Sequence, residues 1–288
     1  MSRRPKIALK SLALLVAAAL VSGIVYEQLG RRRDHRRLPQ IGRSVDIGGR
    51  SLNISCSGTG APPVIFESGG NGPGLMWEPL QAEVAKFTQA CWYDRAGEGW
   101  SDLGPFPHTS VAIARDLHEL LKRAGVHPPY VLAGWSFGGL NSRIYGGLYP
   151  KEIAGMVLID SSHEDEPLRA PKFYLARTVP PILRHPLYGA IQTAAFVGLV
   201  RLMQPSPAEG KNPSQMTREE IIAALRAQPK SFVGNAEAGI VQPKLVKLST
   251  RGRQIVVPNA THATIPQEVI LKAIREVVME DRSEAVSH

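Results

Sequence analysis

Cysteine is scarce in this 288-residue sequence, which contains only Cys56 and Cys91. A framework of several disulfides, of the kind that holds small secreted scaffolds together, is therefore excluded. No group of cysteines and histidines has the close spacing typical of zinc sites. We therefore expect neither a metal nor another cofactor.

Acidic residues are fewer than basic ones, 25 against 34, which gives a formal net charge of +9. The basic excess is concentrated in residues 1–37, which hold nine lysines and arginines and two acids. The rest of the chain is nearly neutral, so we expect no nucleic-acid partner. The excess is instead typical of a targeting or membrane-flanking segment.

One long apolar run lies near the N-terminus, where residues 11–26 read SLALLVAAALVSGIVY between Lys10 and Glu27. With its apolar neighbours the run reaches about 20 residues, the length that a bilayer core requires. We expect residues 1–30 to anchor the protein in a membrane, with the folded domain outside the cytoplasm. The alternative is a signal peptide, whose cleavage would give a secreted protein. Residues 31–44 are expected to form a basic linker.

Strand-like and helix-like segments alternate along residues 45–162 and again along 236–280. Such alternation predicts an α/β sandwich on a mostly parallel sheet. Residues 163–235 break the alternation with many prolines and amphipathic helices. We expect them to form a lid whose apolar side chains line a pocket. Residues 281–288 are expected to be a tail.

The motif G-x-S-x-G occurs once, at Gly134–Gly138. It follows a predicted strand, Tyr130–Ala133, and opens a predicted helix, Phe137–Leu148, which is the setting in which this motif presents a nucleophilic serine. Glycines suit such a sharp turn because a side chain there would collide with nearby backbone. We therefore predict that Ser136 is a nucleophile.

A serine hydroxyl becomes a good nucleophile only beside a general base. His262, in the loop after the last predicted strand, is the candidate base because it follows Ser136 in chain order. A carboxylate should orient the imidazole. Asp160, at the end of the strand after the nucleophile helix, is the first choice, and Glu164 and Asp165 are weaker ones.

An oxyanion formed at this serine needs two converging backbone amides. The N–H of Phe137 is one candidate, because it directly follows the nucleophile. The second should come from the glycine-rich loop after Glu67, at Gly70 or Asn71, where small residues let backbone approach a substrate.

Together with these residues, the segment Tyr93–Asp102, which reads YDRAGEGWSD, resembles the α/β-hydrolase superfamily. The similarity is to the branch of proline iminopeptidases, cofactor-free haloperoxidase-like enzymes and small esterases, including membrane-anchored bacterial members, and spans about residues 45–279. It implies hydrolysis of an ester, amide or related acyl bond of a small molecule through an acyl-serine intermediate. A perhydrolase would use the same triad. The resemblance implies that Asp94 and Arg95 support the nucleophile turn.

Three features depart from that family pattern. Trp135 stands where relatives often have histidine, and Ser68–Gly70 replaces a common His-Gly pair. A strand expected between the lid and the last strand is missing, or is replaced by Val241–Leu245, which Pro243 interrupts. The missing strand could misplace His262, so the alternative function is a catalytically impaired or non-catalytic binding protein on the same fold.

The resemblance also bears on the two cysteines. In this fold the second and fourth strands are antiparallel neighbours, and the end of one meets the start of the other. Cys56 and Cys91 occupy those positions. A disulfide between them would fit an exported domain, and two buried free thiols are the alternative.

Overall fold

The computed structural model describes residues 3–70, 72–105, 108–162, 194 and 264–286. Apart from Ala194, the predicted lid at 163–235 lies outside these residues. So do Val241–Leu245 and the last predicted strand, Ile255–Val257. The prediction of a missing strand therefore stays untested.

A long N-terminal helix, α1, runs from Arg3 to Arg37. Within it, Lys10–Gly30 is long and apolar enough to cross a membrane, although a signal sequence can have the same length and composition. The helix continues to Arg37, so residues 31–37 of the expected basic linker are helical. The described residues from Ile41 onward form a separate unit.

The described residues of that second unit form a six-stranded sheet in the order β1-β2-β4-β3-β5-β6. Strands β3 to β6 run parallel to one another, whereas β2 pairs antiparallel with both β1 and β4. The predicted α/β sandwich with a mostly parallel sheet is thus confirmed. The strands are β1 (Arg43–Asp46), β2 (Ser51–Ser57), β3 (Val64–Glu67), β4 (Ala90–Tyr93), β5 (Tyr130–Trp135) and β6 (Ile153–Ile159).

The described helices of this unit lie in the connections between strands and near the C-terminus. Short 3₁₀ turns at Gly74–Trp77 and Pro150–Glu152 precede α2 and β6, respectively. The helices are α2 (Glu78–Val84), α3 (Ser110–Ala124), α4 (Phe137–Leu148) and α5 (Gln267–Val286).

Helix α3 shows how local sequence sets the ends of these elements. The Thr109 hydroxyl accepts a hydrogen bond from the Ala112 N–H at 3.2 Å, which satisfies one of the free donors of the first turn. Gly125 ends the helix in a left-handed conformation with φ 74°. The buried apolar side chains of α3 belong to the hydrophobic core and are Ile113, Ala114, Leu117, Leu120 and Leu121.

Cys56 and Cys91 are directly opposite each other on the antiparallel strands β2 and β4. They form a disulfide, with their Cα atoms 4.1 Å apart. The expected disulfide is therefore confirmed, and the alternative of two free thiols is wrong.

Helix α5 includes most of the expected tail, since it ends only at Val286. Arg282, within that tail, donates to the carbonyl oxygens of Ala61 at 2.7 Å and Phe87 at 2.8 Å. Arg275 lies 4.8 Å from the centre of the Phe87 ring. These contacts dock the helix, so residues 281–286 belong to the folded domain and are not a free tail.

Candidate active site

Ser136 occupies the turn between β5 and α4, at the carboxyl end of a central parallel strand. Its backbone has φ 55° and ψ −121°, a conformation that non-glycine residues rarely adopt. Three backbone hydrogen bonds hold the turn: Ser136 N–H donates to Ile159 O at 3.0 Å, and Ser136 O accepts from Gly139 N–H at 3.0 Å and Ser162 N–H at 2.9 Å. The segment after β6 thus helps to hold the serine in its strained conformation.

The two glycines of the motif are required because backbone carbonyl groups lie close to both of them. A Cβ at Gly134 would lie 2.6 Å from the carbonyl oxygen of Gly138. A Cβ at Gly138 would lie 2.2 Å from the carbonyl oxygen of Glu67 and 2.5 Å from that of Ser68. The start of α4 is therefore packed tightly against the end of β3, and a side chain at either position would force the turn apart.

Asp160 leaves the sheet beside this turn. Strands β5 and β6 are parallel neighbours with Trp135 opposite Ile159, so the residues that follow them, Ser136 and Asp160, emerge at the same edge. Asp160 is exposed and has a positive φ of 39°. His262, Glu164 and Asp165 lie outside the described residues, and the contacts within the triad stay a prediction.

The glycine-rich loop after β3 packs against the nucleophile turn. A Cβ at Gly69 would lie 2.7 Å from the Trp135 ring and 3.4 Å from the Cβ of Ser136. Gly70 is exposed, and no atom of the described residues lies within 4 Å of a Cβ placed there. Asn71 lies outside the described part of the chain.

Phe137 is the first residue of α4. The first N–H groups of a helix have no partner within the helix and are available to a ligand. Its placement suits an oxyanion donor, but the assignments of Phe137 and of Gly70 or Asn71 stay predictions. The ring of Phe137 is buried, and the guanidinium carbon of Arg95 lies 5.5 Å from its centre.

Both terminal nitrogens of the Arg95 guanidinium are engaged beneath the glycine-rich loop, whereas its buried Nε has no hydrogen-bond partner among the described residues. Its Nη1 lies 2.8 Å from Oε1 of Glu67 and 2.5 Å from the carbonyl oxygen of Ser68. Its Nη2 donates to the carbonyl oxygen of Gly69 and lies 3.1 Å from both carboxylate oxygens of Glu98. All of these groups are buried.

Glu67 has two further donors, the hydroxyl of Tyr93 and the amide of Asn141, whose Nδ2 lies 3.1 Å from Oε1. Burial raises the pKa of Glu67, and the positive charge of Arg95 opposes that shift. Burial, with the nearby Glu67 carboxylate, raises the pKa of Tyr93 well above its usual value, which keeps the phenol a neutral donor.

The neighbouring Asp94 is a hydrogen-bond acceptor for three other segments of the chain. Its carboxylate accepts from Gly74 N–H at 2.7 Å, Asn53 Nδ2 at 2.9 Å and Trp100 N–H at 3.1 Å. Burial raises the pKa of Asp94 to about 6, and these hydrogen bonds act in the opposite direction. The contacts of Arg95 with the glycine-rich loop and with the Phe137 ring agree with the supporting role that the resemblance implies. The three contacts of Asp94 do not reach the nucleophile turn, and its role there stays a prediction.

A family model described as the alpha/beta hydrolase fold matches residues 62–188. Among solved structures, a thermophilic esterase from Thermogutta terrifontis aligns with a TM-score of 0.57 at 21% identity, over 84% of this chain and 99% of that chain. An E-2-(acetamidomethylene)succinate hydrolase aligns with a TM-score of 0.52 at 19% identity, over 83% of this chain and 98% of that chain. This chain has the fold of the α/β-hydrolase superfamily.

Curated relatives come from both bacteria and fungi. The uncharacterized protein YbdG of Bacillus subtilis is 28% identical over 157 residues, 54% of this chain and 48% of that protein. An uncharacterized vacuolar membrane protein of Saccharomyces cerevisiae is 32% identical over 124 residues, 42% of this chain and 19% of that protein. The chain thus spans less than half the length of these relatives. The branch within the superfamily stays a prediction.

Within this hydrolase fold, sequence reasoning missed Glu67 and Glu98 as partners of Arg95, and Tyr93 and Asn141 as partners of Glu67. A signal for one pair was present: Glu67 ends one predicted strand, and Arg95 follows closely after the next one. Opposite charges at the same ends of neighbouring parallel strands can meet. Nothing in the sequence distinguished Asn141, which lies inside a helix.

Proposed function

We propose that this chain is a serine hydrolase that cleaves an ester, amide or related acyl bond of a small molecule. The observation that carries the proposal is the strained backbone of Ser136, with φ 55°, between β5 and α4. A non-glycine residue in such a conformation costs of the order of 1–3 kcal/mol, and strain of this kind concentrates at functional sites. The turn projects the hydroxyl away from the sheet, where a substrate can reach it.

In the proposed first step, Oγ of Ser136 attacks the acyl carbonyl carbon while His262 takes the hydroxyl proton. The tetrahedral intermediate collapses, and His262 returns that proton to the leaving group as the acyl-serine ester forms. Water then attacks the ester with His262 again acting as base, which releases the acid and restores the serine. Asp160 orients the imidazole and stabilises its protonated form.

The negative charge of each tetrahedral intermediate develops on the former carbonyl oxygen. The N–H of Phe137 and one N–H from the glycine-rich loop, at Gly70 or Asn71, would donate to it. Preorganised donors of this kind stabilise the transition state strongly because they need no reorientation during the reaction.

The comparisons support the hydrolytic class. The two solved structures reported above are described as an esterase and a succinate-derivative hydrolase, and both have this fold. The fold alone assigns no substrate. The apolar residues predicted in the lid favour an acyl compound with an apolar part.

A fluorophosphonate probe tests the proposal, because it labels serines that are activated for nucleophilic attack. We expect the full-length protein in detergent to be labelled on Ser136, as located by mass spectrometry. Ser136→Ala should abolish the labelling, and Ser283→Ala, on the exposed face of α5, should leave it unchanged. A folded wild type that is neither labelled nor active on a broad panel of acyl esters would instead indicate a non-catalytic binding protein.

We further propose that α1 anchors the protein and that the folded domain lies outside the cytoplasm. The apolar stretch Lys10–Gly30 and the disulfide between Cys56 and Cys91 support this, since disulfides persist in oxidising compartments. A tag placed before Met1 should remain on the mature protein, which should resist alkaline carbonate extraction. Loss of the tag with release of the domain would establish a cleaved signal peptide instead.

A further inference from the structure

The guanidinium of Arg95 holds two successive carbonyl groups of the glycine-rich loop. Nη1 donates to the carbonyl oxygen of Ser68 at 2.5 Å, and Nη2 donates to that of Gly69. Two parallel donors on one rigid, planar group fix the orientation of two neighbouring peptide units at once.

Fixing a carbonyl also fixes the amide of the next residue. In a trans peptide the C=O and the following N–H lie in one plane and point in opposite directions. Because the carbonyl of Gly69 points at Arg95, the N–H of Gly70 points away from the guanidinium. This same stretch of loop approaches the nucleophile, since a Cβ at Gly69 would lie 3.4 Å from the Cβ of Ser136.

We propose that Arg95 is a positioning residue that presents the N–H of Gly70 to the oxyanion formed at Ser136. The inference rests on the proposed function and chooses Gly70 over Asn71 as the second donor. Without the guanidinium, the Gly69–Gly70 peptide could rotate, because glycine restricts backbone rotation least. A rotated peptide would turn its carbonyl oxygen, rather than its N–H, toward the developing negative charge.

The guanidinium is itself held in place from several sides. Glu67 binds Nη1 at 2.8 Å, and Glu98 binds Nη2 at 3.1 Å. The ring of Phe137, whose own N–H is the first predicted donor, lies 5.5 Å from the guanidinium carbon. Arg95 therefore connects the two backbone segments that would form the oxyanion site. A lysine would supply the positive charge, but its single ammonium group could not bind two carbonyls and two carboxylates at once.

The test compares Arg95→Lys and Arg95→Met with wild type in the full-length protein, using a fluorophosphonate with kinact and KI measured separately. Loss of one oxyanion donor costs on the order of 100-fold in rate. We expect kinact to fall about 100-fold in R95M and about tenfold in R95K, with KI unchanged. Arg50→Met, which removes an ion pair with Asp116, serves as the matched control and should react like wild type.

Two results separate this inference from the proposed function. A wild type that is not labelled at all overturns the proposed function and this inference with it. If wild type is labelled and a folded R95M keeps the wild-type kinact, the role of Arg95 alone is overturned. The same holds if R95M is labelled less efficiently only because its KI is higher.

A measurement on the wild type keeps the inference falsifiable if R95M does not fold. In protein labelled with ¹⁵N-glycine, Gly70→Ala identifies the resonance of the Gly70 amide by its disappearance. Formation of the phosphonate adduct should shift that amide proton downfield, because its N–H then donates to the phosphonyl oxygen. An unshifted Gly70 resonance in a fully modified sample would overturn the inference.

Discussion

Nη1 of Arg95 lies 2.8 Å from Oε1 of Glu67, and the two side chains are only 3% and 2% exposed. Glu67 ends β3, and Arg95 follows β4, its parallel neighbour, so the pair joins the two segments that leave the same edge of the sheet. Removing two charges from water is costly, and a buried ion pair is therefore weak support for overall stability. Its structural effect is to hold Arg95 in place, and Arg95 in turn fixes the glycine-rich loop.

Arg95→Met should destabilise the fold by about 3–5 kcal/mol, because it leaves the carboxylates of Glu67 and Glu98 buried without their cation. The double variant Glu67→Gln with Arg95→Met should lose less than the sum of the two single losses. Urea unfolding of all four proteins measures this. Additive losses would mean that the two side chains are not coupled.

Ser136→Gly should make the protein more stable while abolishing catalysis. Glycine adopts φ 55° with ψ −121° readily, so the substitution should release of the order of 1–2 kcal/mol of backbone strain. Ser136→Ala removes the same hydroxyl but keeps a Cβ, and its stability should stay close to that of wild type. Thermal unfolding with a calorimeter distinguishes the two. Equal melting temperatures for glycine and alanine at this position would count against stored strain in the turn.

Gly138→Ala should disrupt the site far more than a glycine substitution elsewhere. Its Cβ would lie 2.2 Å from the backbone oxygen of Glu67, so either α4 or the end of β3 must move. Gly125→Ala is the matched control: no atom of the described residues lies within 4 Å of a Cβ there, and its φ of 74° costs only about 1–2 kcal/mol. We expect G138A to lose probe labelling even where it remains folded, and G125A to keep it. Labelling of both variants at the wild-type rate would contradict the tight packing of the turn.

Sequence patterns predicted the parts of this molecule that depend on local chemistry. The turn at Ser136 was predictable because Gly134 and Gly138 are a local signal of the close backbone contacts that this turn makes. The partners of Arg95 were not predicted, since they come from three separate segments whose meeting depends on the register of β3 and β4. The helical structure of the expected tail was missed because its docking contacts, such as that of Arg282 with Ala61, are also long-range.

The disulfide between Cys56 and Cys91 should contribute about 2–4 kcal/mol to the free energy of unfolding, since it closes a loop with a sequence separation of 35 residues. The double variant Cys56→Ala, Cys91→Ala should unfold at lower urea concentration than wild type. Dithiothreitol should lower the stability of wild type toward that of the variant and leave the variant unaffected. Wild type and variant of equal stability under oxidising conditions would show that the bond adds nothing measurable.

Asp160 should prove to be the carboxylate that supports the base, because it leaves β6 directly beside Ser136 at the shared edge of the sheet. Asp160→Asn keeps the shape of the side chain but removes the charge that stabilises the imidazolium, so kcat for ester hydrolysis should fall by about 10³–10⁴-fold. Glu164→Gln and Asp165→Asn test the two other carboxylates and should retain activity near that of wild type. Melting temperatures measured alongside separate a loss of fold from a loss of chemistry. If a folded E164Q or D165N loses activity while D160N keeps it, the acid is Glu164 or Asp165. Asp160, with its positive φ of 39°, would then only shape the turn after β6.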